Sequence, residues 1–502
     1  MSKSWRGFGT ESLTVSMILS LLLTPPLVAS CLAILVRPYK RFVGWVSVIC
    51  ASLSFAASIG LCTTVVATGP LQDAASAAAL WRVDALSALL TLCIAFVALL
   101  ASILGQRVGR PDREELSRTR HLRIFTNAFV FTMLAAVTIQ NVALMWVAIE
   151  ATTITSAMVI PLTRTKASVE ASWKYLLICS VGIALAFAGT VLAYFDFVTT
   201  AGQIPGSLNW TVLRNAAPSL HPELLQLAFA FILIGYGTKA GLAPMHTWLP
   251  DAHSEAPSPI SAMMSGVLLA VAMYAIARWK AVVDVSVSPW FTNSLLTGFG
   301  LLSVTIGAFS LVIQRHYKRM LAYSSVEHMG LVSIGLALGP LGAFAALLHI
   351  ANHAVAKSLS FLLAGRILHR YETTEISRVT GLLQVMPWTG SLFAVGVLAL
   401  VGLPPFGLFV SEFLLLRAAV VSGRFWVAGV VLGLLLIVFA SLMNHLNRML
   451  YGQPPPGVQL GERRGWWVAA LALSVGVLVV LGVTLPRPIS ALITQSVRGV
   501  SP

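Results

Sequence analysis

Long apolar segments follow one another along almost the whole of this 502-residue chain. A helix needs about 20 apolar residues to cross the hydrocarbon core of a bilayer, and windows of that kind give fourteen candidate spans. They are residues 13–36, 42–68, 84–106, 122–140, 142–162, 170–195, 223–241, 260–281, 293–313, 319–339, 342–366, 385–416, 424–450 and 466–486. The sequence therefore predicts an all-α polytopic membrane protein with about fourteen transmembrane helices.

The composition excludes the main classes of soluble protein. Only 10% of the residues are charged, whereas a soluble globular protein carries about 25%. A soluble enzyme, a disordered chain and a nucleic-acid-binding domain are therefore excluded, although the net charge is +15. The five cysteines form no Cys-x-x-Cys pair, so the sequence predicts neither a metal cluster nor a disulfide framework.

The distribution of basic residues predicts the orientation in the membrane. The connections after the odd-numbered spans carry twenty Lys and Arg residues, and the other side, including both termini, carries ten. Cytoplasmic loops collect Lys and Arg. We therefore expect a multi-pass protein of the cytoplasmic membrane with both termini on the outer side.

Two spans contain helix-breaking residues in a similar pattern. Span 7 ends in Gly241 and Pro244, and about 160 residues later span 12 contains Gly402, Pro404 and Pro405. Each break lies near the end of a unit of five spans, and because five is odd, consecutive units must have opposite orientations. Paired broken helices in inverted repeats typically line an ion or substrate path.

These patterns divide the chain into four parts. They are N-terminal helices 1–3 (1–120), a first repeat of helices 4–8 (121–281), a second repeat of helices 9–13 (293–452) and a C-terminal helix 14 (466–502).

Five ionisable residues lie in or at the edges of the apolar spans. They are Glu150, Lys174, Lys239, Lys357 and Glu412. Ionisable groups in hydrocarbon are expensive and mark functional sites by default. The basic residues among them are all Lys, although Arg outnumbers Lys 25 to 8 in the chain. Since a buried ammonium can lose its proton and a guanidinium cannot, the pattern favours proton binding over static ion pairs, the alternative interpretation.

Histidines supply candidate links between these charges. His349, His353 and Lys357 follow at intervals of four residues and so share one helix face. His328 lies in span 10, and His246 follows the first helix break. Imidazole titrates near neutral pH and can accept and donate a proton at its two nitrogens, so the row predicts a proton relay.

A metal site is the weaker interpretation of one further cluster. His246, Asp251, His253 and Glu255 lie within ten residues, but without a standard ligand spacing. We therefore predict no metal ligands in this chain.

Several motifs resemble one known family. KAGLAPMH at 239–246 and WLPDAHSEAPSPISAMMSG at 248–266 resemble the antiporter-like proton-channel subunits of respiratory complex I, Mrp antiporters and membrane-bound hydrogenases. KRMLAYSSVEHMG at 318–330 and GLPPFG at 402–407 support this, and the resemblance covers about residues 120–450.

Within the family, three further segments are most similar to component F of hydrogenase-4, of the formate hydrogenlyase type. They are IEATT at 149–153, KASVEASWKYLLIC at 166–179 and HIANH at 349–353.

The resemblance implies roles for individual residues. Glu150 and Lys239 would form a modulating pair, Lys357 the central relay and Glu412 the terminal group on the second broken helix. The connecting relay would be His328, His349 and His353.

Two features depart from the family pattern. Ala270 stands where some members carry a lysine in span 8, so the link between the half-channels would pass through water, His246 or His328. No long lateral amphipathic helix is expected after span 14.

The resemblance also implies a function and partners. The chain would be a non-catalytic proton-translocating subunit of a redox-driven complex, without a cofactor of its own. Other membrane subunits and peripheral redox subunits with nickel-iron and iron-sulfur centres would be its partners in the lipid bilayer. The alternatives are a subunit of a complex I-type NADH–quinone oxidoreductase, a Mrp-like cation/proton antiporter subunit, a membrane subunit for inorganic-carbon uptake and a structural scaffold.

Overall fold

A computed structural model describes residues 5–72, 79–105, 113–462 and 465–500, and these ranges are almost entirely helical. The helices are α1 Trp5–Leu35, α2 Arg41–Thr68, α3 Ala85–Leu104, α4 Arg113–Thr138, α5 Val142–Ala157, α6 Lys166–Ala201, α7 Trp210–Ala216, α8 Pro222–Ala240, α9 Trp248–Glu255, α10 Ser258–Met263, α11 Leu269–Val283, α12 Pro289–Val312, α13 Tyr317–Leu336, α14 Gly339–Tyr371, α15 Leu382–Val385, α16 Pro387–Leu400, α17 Gly407–Val421, α18 Phe425–Leu450, α19 Trp467–Val483 and α20 Arg487–Val500. Two strands of two residues, β1 Leu71–Gln72 and β2 Arg82–Val83, pair antiparallel with Leu71 opposite Val83.

The predicted all-α membrane class is confirmed. Among the described residues, eleven helical segments are long and apolar enough to cross a membrane, or twelve if the bent pair α19 and α20 forms one span. The predicted fourteen spans exceed this number and remain a prediction. Two predicted spans are not among these helical segments. Helix α13 carries three charged residues, and the predicted span 385–416 is divided into α16 and α17, which have only 14 and 15 residues. The predicted end of span 3 and the basic connection 107–123 fall partly outside the described residues.

Both predicted helix breaks coincide with helix ends. Gly241 ends α8 with a φ of 74°, and a short 3₁₀ turn, Met245–Thr247, leads into α9. Gly402 follows α16 with a φ of 71° and precedes α17. Glycine adopts this left-handed backbone without a Cβ penalty. A third irregularity is a π-helical segment, Met264–Leu268, between α10 and α11.

Three segments form the centre of the bundle. Segment α10–α11 and helix α14 are buried along their whole apolar windows, and α3 along most of its window. Helices α2, α6 and α18 lie outside them and expose large apolar side chains such as Trp45, Trp173 and Trp426. In a bilayer this outer surface would contact lipid.

Contacts between connections define two ends of the bundle. At one end, which we call the basic end, the connection before α13 pairs with the segment after α14 through His316 and Glu375. Gly381 of that segment binds the carbonyl of Tyr451, which follows α18. At the opposite end, Trp81 pairs with Ile139, and Asn141 pairs with Asn209.

The last helix, α20, is an element that the sequence did not predict. It bends by 69° from α19 and packs against α3 at the opposite end. Leu492, Ile493 and Val497 are buried in this contact, whereas Thr494 and Arg498 are exposed. The helix is therefore amphipathic and lies across the bundle end, because its polar face could not enter hydrocarbon.

Candidate functional site

Lys239 lies in the last turn of α8, and its side chain is fully buried. Its Nζ donates hydrogen bonds to Thr153 Oγ1 and to Tyr175 Oη, each 2.7 Å away. The ammonium group also lies 4.8 Å from the centre of the Tyr175 ring. This lysine is therefore held by neutral hydroxyl groups from α5 and α6.

Glu150 connects to Lys239 through the hydroxyl of Thr153. Thr153, three residues further along α5 and hence on the same face, donates to Glu150 Oε2 at 3.1 Å. Ser180 of α6 donates to Glu150 Oε1 at 2.8 Å. The predicted pair is thus joined by one intervening hydroxyl group, which can relay a proton by accepting one hydrogen bond and donating the other.

Small residues bring α6 and α8 close enough for this arrangement. A Cβ on Gly182 would lie 2.6 Å from the Thr238 side chain, and one on Gly235 would lie 2.5 Å from the backbone nitrogen of Ala186. No larger side chain fits at either position without a shift of the helices. The close contact places Tyr175 of α6 next to Lys239.

Helix α9 continues the polar region toward the centre of the bundle. Trp248 packs on Tyr175 with ring centres 4.7 Å apart and donates its indole N–H to the Thr238 carbonyl at 2.9 Å. His253, one to two turns further on, is fully buried between Trp248 and Phe361 of α14. An imidazole thus lies between the two groups of charged residues.

Lys357 lies in α14 and is fully buried. Its Nζ donates to the Leu321 carbonyl at 2.8 Å and to Ser324 Oγ, both on α13. Like Lys239, it binds neutral oxygen atoms and has no carboxylate within ion-pair distance among the described residues.

Three helices meet at a row of histidines. His328 Nδ1 of α13 lies 3.0 Å from His349 Nε2 of α14, and His349 Nδ1 lies 3.0 Å from Ser411 Oγ of α17. The His353 ring centre is 5.2 Å from that of His328. The four side chains are fully buried, so the hydrogen bonds form without competition from water.

Glu412 follows Ser411 and lies against the second helix break. A Cβ on Gly402 would lie 2.0 Å from Glu412 Oε2, so only glycine leaves room for this carboxylate. Glu412, His328 and His349 place ligand-type N and O atoms within 4.8 Å of one another. Because the two imidazoles already bond to each other, we interpret the group as a hydrogen-bonded chain.

Two predicted site residues lie apart from these clusters. Lys174 was expected in the membrane, but it lies at the basic end with a 47% exposed side chain, paired with Glu170 at 2.7 Å and with Asp251 at 3.5 Å. The residue is only two turns from the start of α6, and its part in proton translocation remains a prediction. His246 is nearly buried at the first break, with its ring centre 6.3 Å from that of Tyr323.

Buried cations are not all lysines, contrary to the sequence expectation. Arg278 of α11 is 2% exposed and binds both carboxylate oxygens of Asp84, at 2.6 and 2.5 Å. Its guanidinium also lies 4.4 Å from the Trp210 ring centre. A paired and stacked guanidinium can remain buried and charged, which a window count of apolar residues does not reveal.

Comparison with known proteins identifies the family. The sequence profile described as NADH:quinone oxidoreductase/Mrp antiporter, transmembrane, matches residues 140–440. The chain belongs to this family. The matched region contains both helix breaks and the buried Lys, Glu and His residues described above, and the predicted membership is confirmed.

Individual members of the antiporter family show similarity over most of the chain. A hydrogenase-4 component F homolog from Methylacidiphilum infernorum is 38% identical over 419 residues, which covers 82% of this chain and 86% of that protein. Hydrogenase-4 component B of Escherichia coli is 32% identical over 346 residues, or 66% of this chain, and the match spans about half (49%) of the relative's length. A chain of the archaeal membrane-bound sulfane sulfur reductase has a TM-score of 0.86 at 26% identity, covering 96% of this chain and 97% of that one.

The region between the two charged clusters contains Ala270, where some antiporter-family members carry a lysine. Ala270 is fully buried in α11. Nearby in the chain, Ser265 of the π-helical segment lies 2.7 Å from Ser325 of α13, oxygen to oxygen. Ser325 adjoins Ser324, the partner of Lys357. Hydroxyl groups and His253 are therefore among the polar groups in this part of the described structure.

Further buried ionisable residues were not predicted as site residues, among them His253, Lys318 and Glu327. In the sequence, His253 belongs to the cluster with the weaker metal-site interpretation, and Lys318 and Glu327 lie in the motif at 318–330. Lys318 of α13 donates to the carbonyls of Ser254 and Ala256 at the end of α9, at 2.5 and 2.8 Å. Glu327 is buried one residue before His328. Their charges inside or at the edge of an apolar span were the available signal.

Proposed function

We propose that this chain is a proton-translocating membrane subunit of a redox-driven complex of the hydrogenase-4, formate hydrogenlyase-like type. One observation carries the proposal: Lys239 and Lys357 are fully buried and, among the described residues, form hydrogen bonds only to neutral oxygen groups. A buried ammonium without a carboxylate in contact is poorly stabilised. Each lysine is therefore suited to bind and release a proton, a role that arginine cannot fill.

In the first unit, Thr153 transmits the state of Glu150 to Lys239. A change of charge in a neighbouring subunit shifts Glu150 relative to Lys239, because charges interact strongly where water is excluded. The Thr153 hydroxyl follows this change, since it donates to Glu150 and accepts from Lys239. The pair then sets whether Lys239 holds its proton, as the roles implied by the family resemblance require.

In the second unit, the histidine row carries the proton onward. Lys357 lies one helical turn from His353 on α14, and His353 packs on His328. The chain from His328 through His349 to Ser411 alternates donors and acceptors, so a proton can enter at one ring nitrogen while another leaves from the opposite one. Glu412, next to Ser411, is the terminal group in this proposal.

The proposal includes fourteen membrane crossings and two inverted repeats. The repeats comprise residues 121–281 and 293–452, with residues 1–120 and 466–502 outside them. Connections after odd-numbered spans contact one another at the basic end, and those after even-numbered spans contact one another at the opposite end, as alternate crossings require. We place the basic end in the cytoplasm and both termini outside, in the cytoplasmic membrane, on the charge distribution.

Redox chemistry would occur in partner subunits. Nickel-iron and iron-sulfur centres would lie in peripheral subunits, and other membrane subunits would flank this chain in the bilayer. Support comes from the similarity to proteins named as hydrogenase-4 components.

Substitution of Lys239 by Met in the intact complex tests the mechanism. We expect proton uptake into inverted membrane vesicles to be lost on addition of the electron donor, while complex assembly is retained. Lys166→Met, at an exposed lysine in the first turn of α6, is the matched control and should behave as the wild type. Unchanged proton uptake in Lys239→Met would exclude the mechanism.

Purification of the native complex distinguishes the proposed class from its alternatives. Nickel and iron beside a hydrogenase-like large subunit support the hydrogenase-4 assignment. Iron-sulfur centres without nickel point to a complex I-type assembly. The absence of redox metals, with sodium-dependent transport, points to a cation/proton antiporter.

A further inference from the structure

Glu327 of α13 is a buried carboxylate that the mechanism above does not use. Its side chain is 1% exposed, and neither carboxylate oxygen has a hydrogen-bond partner among the described residues. The nearest basic atom is Nδ1 of His328, 3.5 Å from Oε2. A structural acid normally accepts several hydrogen bonds or forms a close ion pair, and Glu327 has neither.

Tight packing holds Glu327 in this position. A Cβ on Gly307 of α12 would lie 2.7 Å from Glu327 Cβ. Gly300 of α12 and Gly330 of α13 meet in the same way, since a Cβ on Gly330 would lie 2.7 Å from the Gly300 carbonyl oxygen. The carboxylate therefore cannot swing out to water without separating two closely packed helices.

The ionisable groups around Glu327 come from four helices, including its own helix α13. The carboxylate of Glu327 interacts electrostatically with Lys357 of α14 and with Glu412 of α17. The other titratable groups facing this region are His328 on α13, His349 and His353 on α14, and His445 on α18, which binds the Leu311 carbonyl. An ionised carboxylate without hydrogen-bond donors is costly in such surroundings, and a bound proton removes that cost.

We propose that Glu327 is a proton-binding site of the second unit, exchanging its proton with His328. In this exchange the carboxylic acid O–H bond breaks and an N–H bond forms on the neutral imidazole, which leaves a carboxylate beside an imidazolium. The reverse step restores the first state, so atoms and charge balance without a further reactant. The site would hold a proton beside the histidine row while Lys357 and Glu412 change their charge. The inference rests on the proposed function.

Substitution of Glu327 by Gln in the full chain within its native complex tests the inference in two ways. Gln has nearly the same shape but cannot release a proton. We expect infrared difference spectra of the complex to lose a carbonyl-stretch band of a protonated carboxylic acid, and proton translocation per electron transferred to fall strongly. Glu327→Asp should restore part of both signals. Glu372→Gln, at an exposed residue of the basic end, is the control and should change neither.

The outcomes separate this inference from the proposed function. If Lys239→Met abolishes proton translocation and Glu327→Gln translocates protons as the wild type does, the inference is wrong and the proposed function stands. If Glu327→Gln only lowers the amount of assembled complex, with normal translocation per complex, Glu327 is structural and the inference is wrong. If neither variant affects translocation, the proposed function fails as well.

Discussion

The buried cations of this protein fall into two kinds that differ in their partners. Arg278 is bound at two points by the carboxylate of Asp84 and packs on Trp210. Lys239 and Lys357 bind hydroxyl and carbonyl groups instead. The first kind is a permanent ion pair that fixes α11 to the start of α3. The second kind leaves the protonation state open, because no carboxylate among the described residues is in direct contact with the ammonium group.

Thr153→Val removes the hydroxyl that joins Glu150 and Lys239. We expect proton translocation by the assembled complex to fall and the free energy of unfolding to decrease by about 1–3 kcal/mol, because buried polar groups lose a partner. Proton uptake into inverted vesicles and thermal unfolding of the purified complex measure the two effects. Thr152→Val is the control, since the buried Thr152 hydroxyl binds only the Ile149 carbonyl of its own helix. Equal translocation in the two variants would contradict the relay.

His221 provides a pH-dependent contact outside the membrane-spanning segments. A hydrogen bond from its Nδ1 to Asp196 Oδ1, 2.6 Å away, raises the pKa of this histidine, and the charge of Asp196 acts in the same direction. The contact therefore stabilises the folded chain fully below the unfolded-state pKa of about 6.5. The stabilisation is lost as the pH rises through the raised folded-state pKa.

We accordingly expect His221→Asn to lower the unfolding temperature at about pH 5.5 and to have little effect at about pH 9. Thermal unfolding of wild type and variant at both pH values measures this difference. A pH-independent difference would show that the imidazole charge plays no part.

The two helix breaks place a charged residue beside unwound backbone in different ways. Before the first break, Lys239 projects from the last turn of α8. At the second break, Gly402 leaves the space that the Glu412 carboxylate occupies. Gly402 thus serves two purposes at the second break. It adopts the left-handed backbone conformation, and its lack of a Cβ leaves room for the Glu412 carboxylate.

Gly402→Ala should be strongly unfavourable for both reasons. The left-handed backbone alone costs about 1–2 kcal/mol for a residue with a Cβ, and the added Cβ would displace the Glu412 carboxylate. We expect a lower unfolding temperature together with reduced proton translocation. Gly429→Ala in α18 is the matched control, because no described atom outside its own stretch of helix backbone lies within 4 Å of its Cβ position. It should be neutral or slightly stabilising, and equal behaviour of the two variants would contradict the assigned role of Gly402.

Helix α20 stabilises the bundle by covering the end of α3. Leu492→Ala should lower the free energy of unfolding by about 2–5 kcal/mol, because it leaves a cavity in a buried contact. Thr494→Ala, at an exposed position two residues further on, should change it by no more than about 0.5 kcal/mol. Thermal unfolding of the purified protein compares the two. Similar effects would show that α20 does not pack as described.

The two ends of the whole bundle should face different compartments. Ser219 is exposed at the opposite end and Ser377 at the basic end. In intact cells without an outer membrane, a membrane-impermeant thiol reagent should label Ser219→Cys and spare Ser377→Cys. Inverted vesicles should show the reverse. Labelling of both cysteines from one side would refute the proposed alternation and orientation.

Motifs and apolar windows predicted the family, the all-α membrane class and the helix breaks. Glu150, Lys239, Lys357 and Glu412 were found because a charge in an apolar segment is visible in the sequence alone. The exposed ion pairs of Lys174 and the buried ion pair of Arg278 were not predicted, because hydropathy windows do not show where a helix leaves the membrane or which carboxylate lies opposite. Nothing in the sequence indicated that the hydroxyl groups of Thr153, Tyr175 and Ser411 contact the charged residues and histidines, since hydroxyl groups are common in membrane helices.

The sequence by itself determined most of the long helical segments, where two of them break and several of the side chains that carry charge in an apolar setting. These properties depend on local composition, helix period and backbone restrictions of glycine and proline. Only the tertiary structure decided that Thr153 joins Glu150 to Lys239, that His349 links His328 to Ser411, and that Glu327 accepts no hydrogen bond among the described residues. Such contacts join residues 21 to 86 positions apart, and they depend on how closely the helices pack, which glycines on facing helices determine.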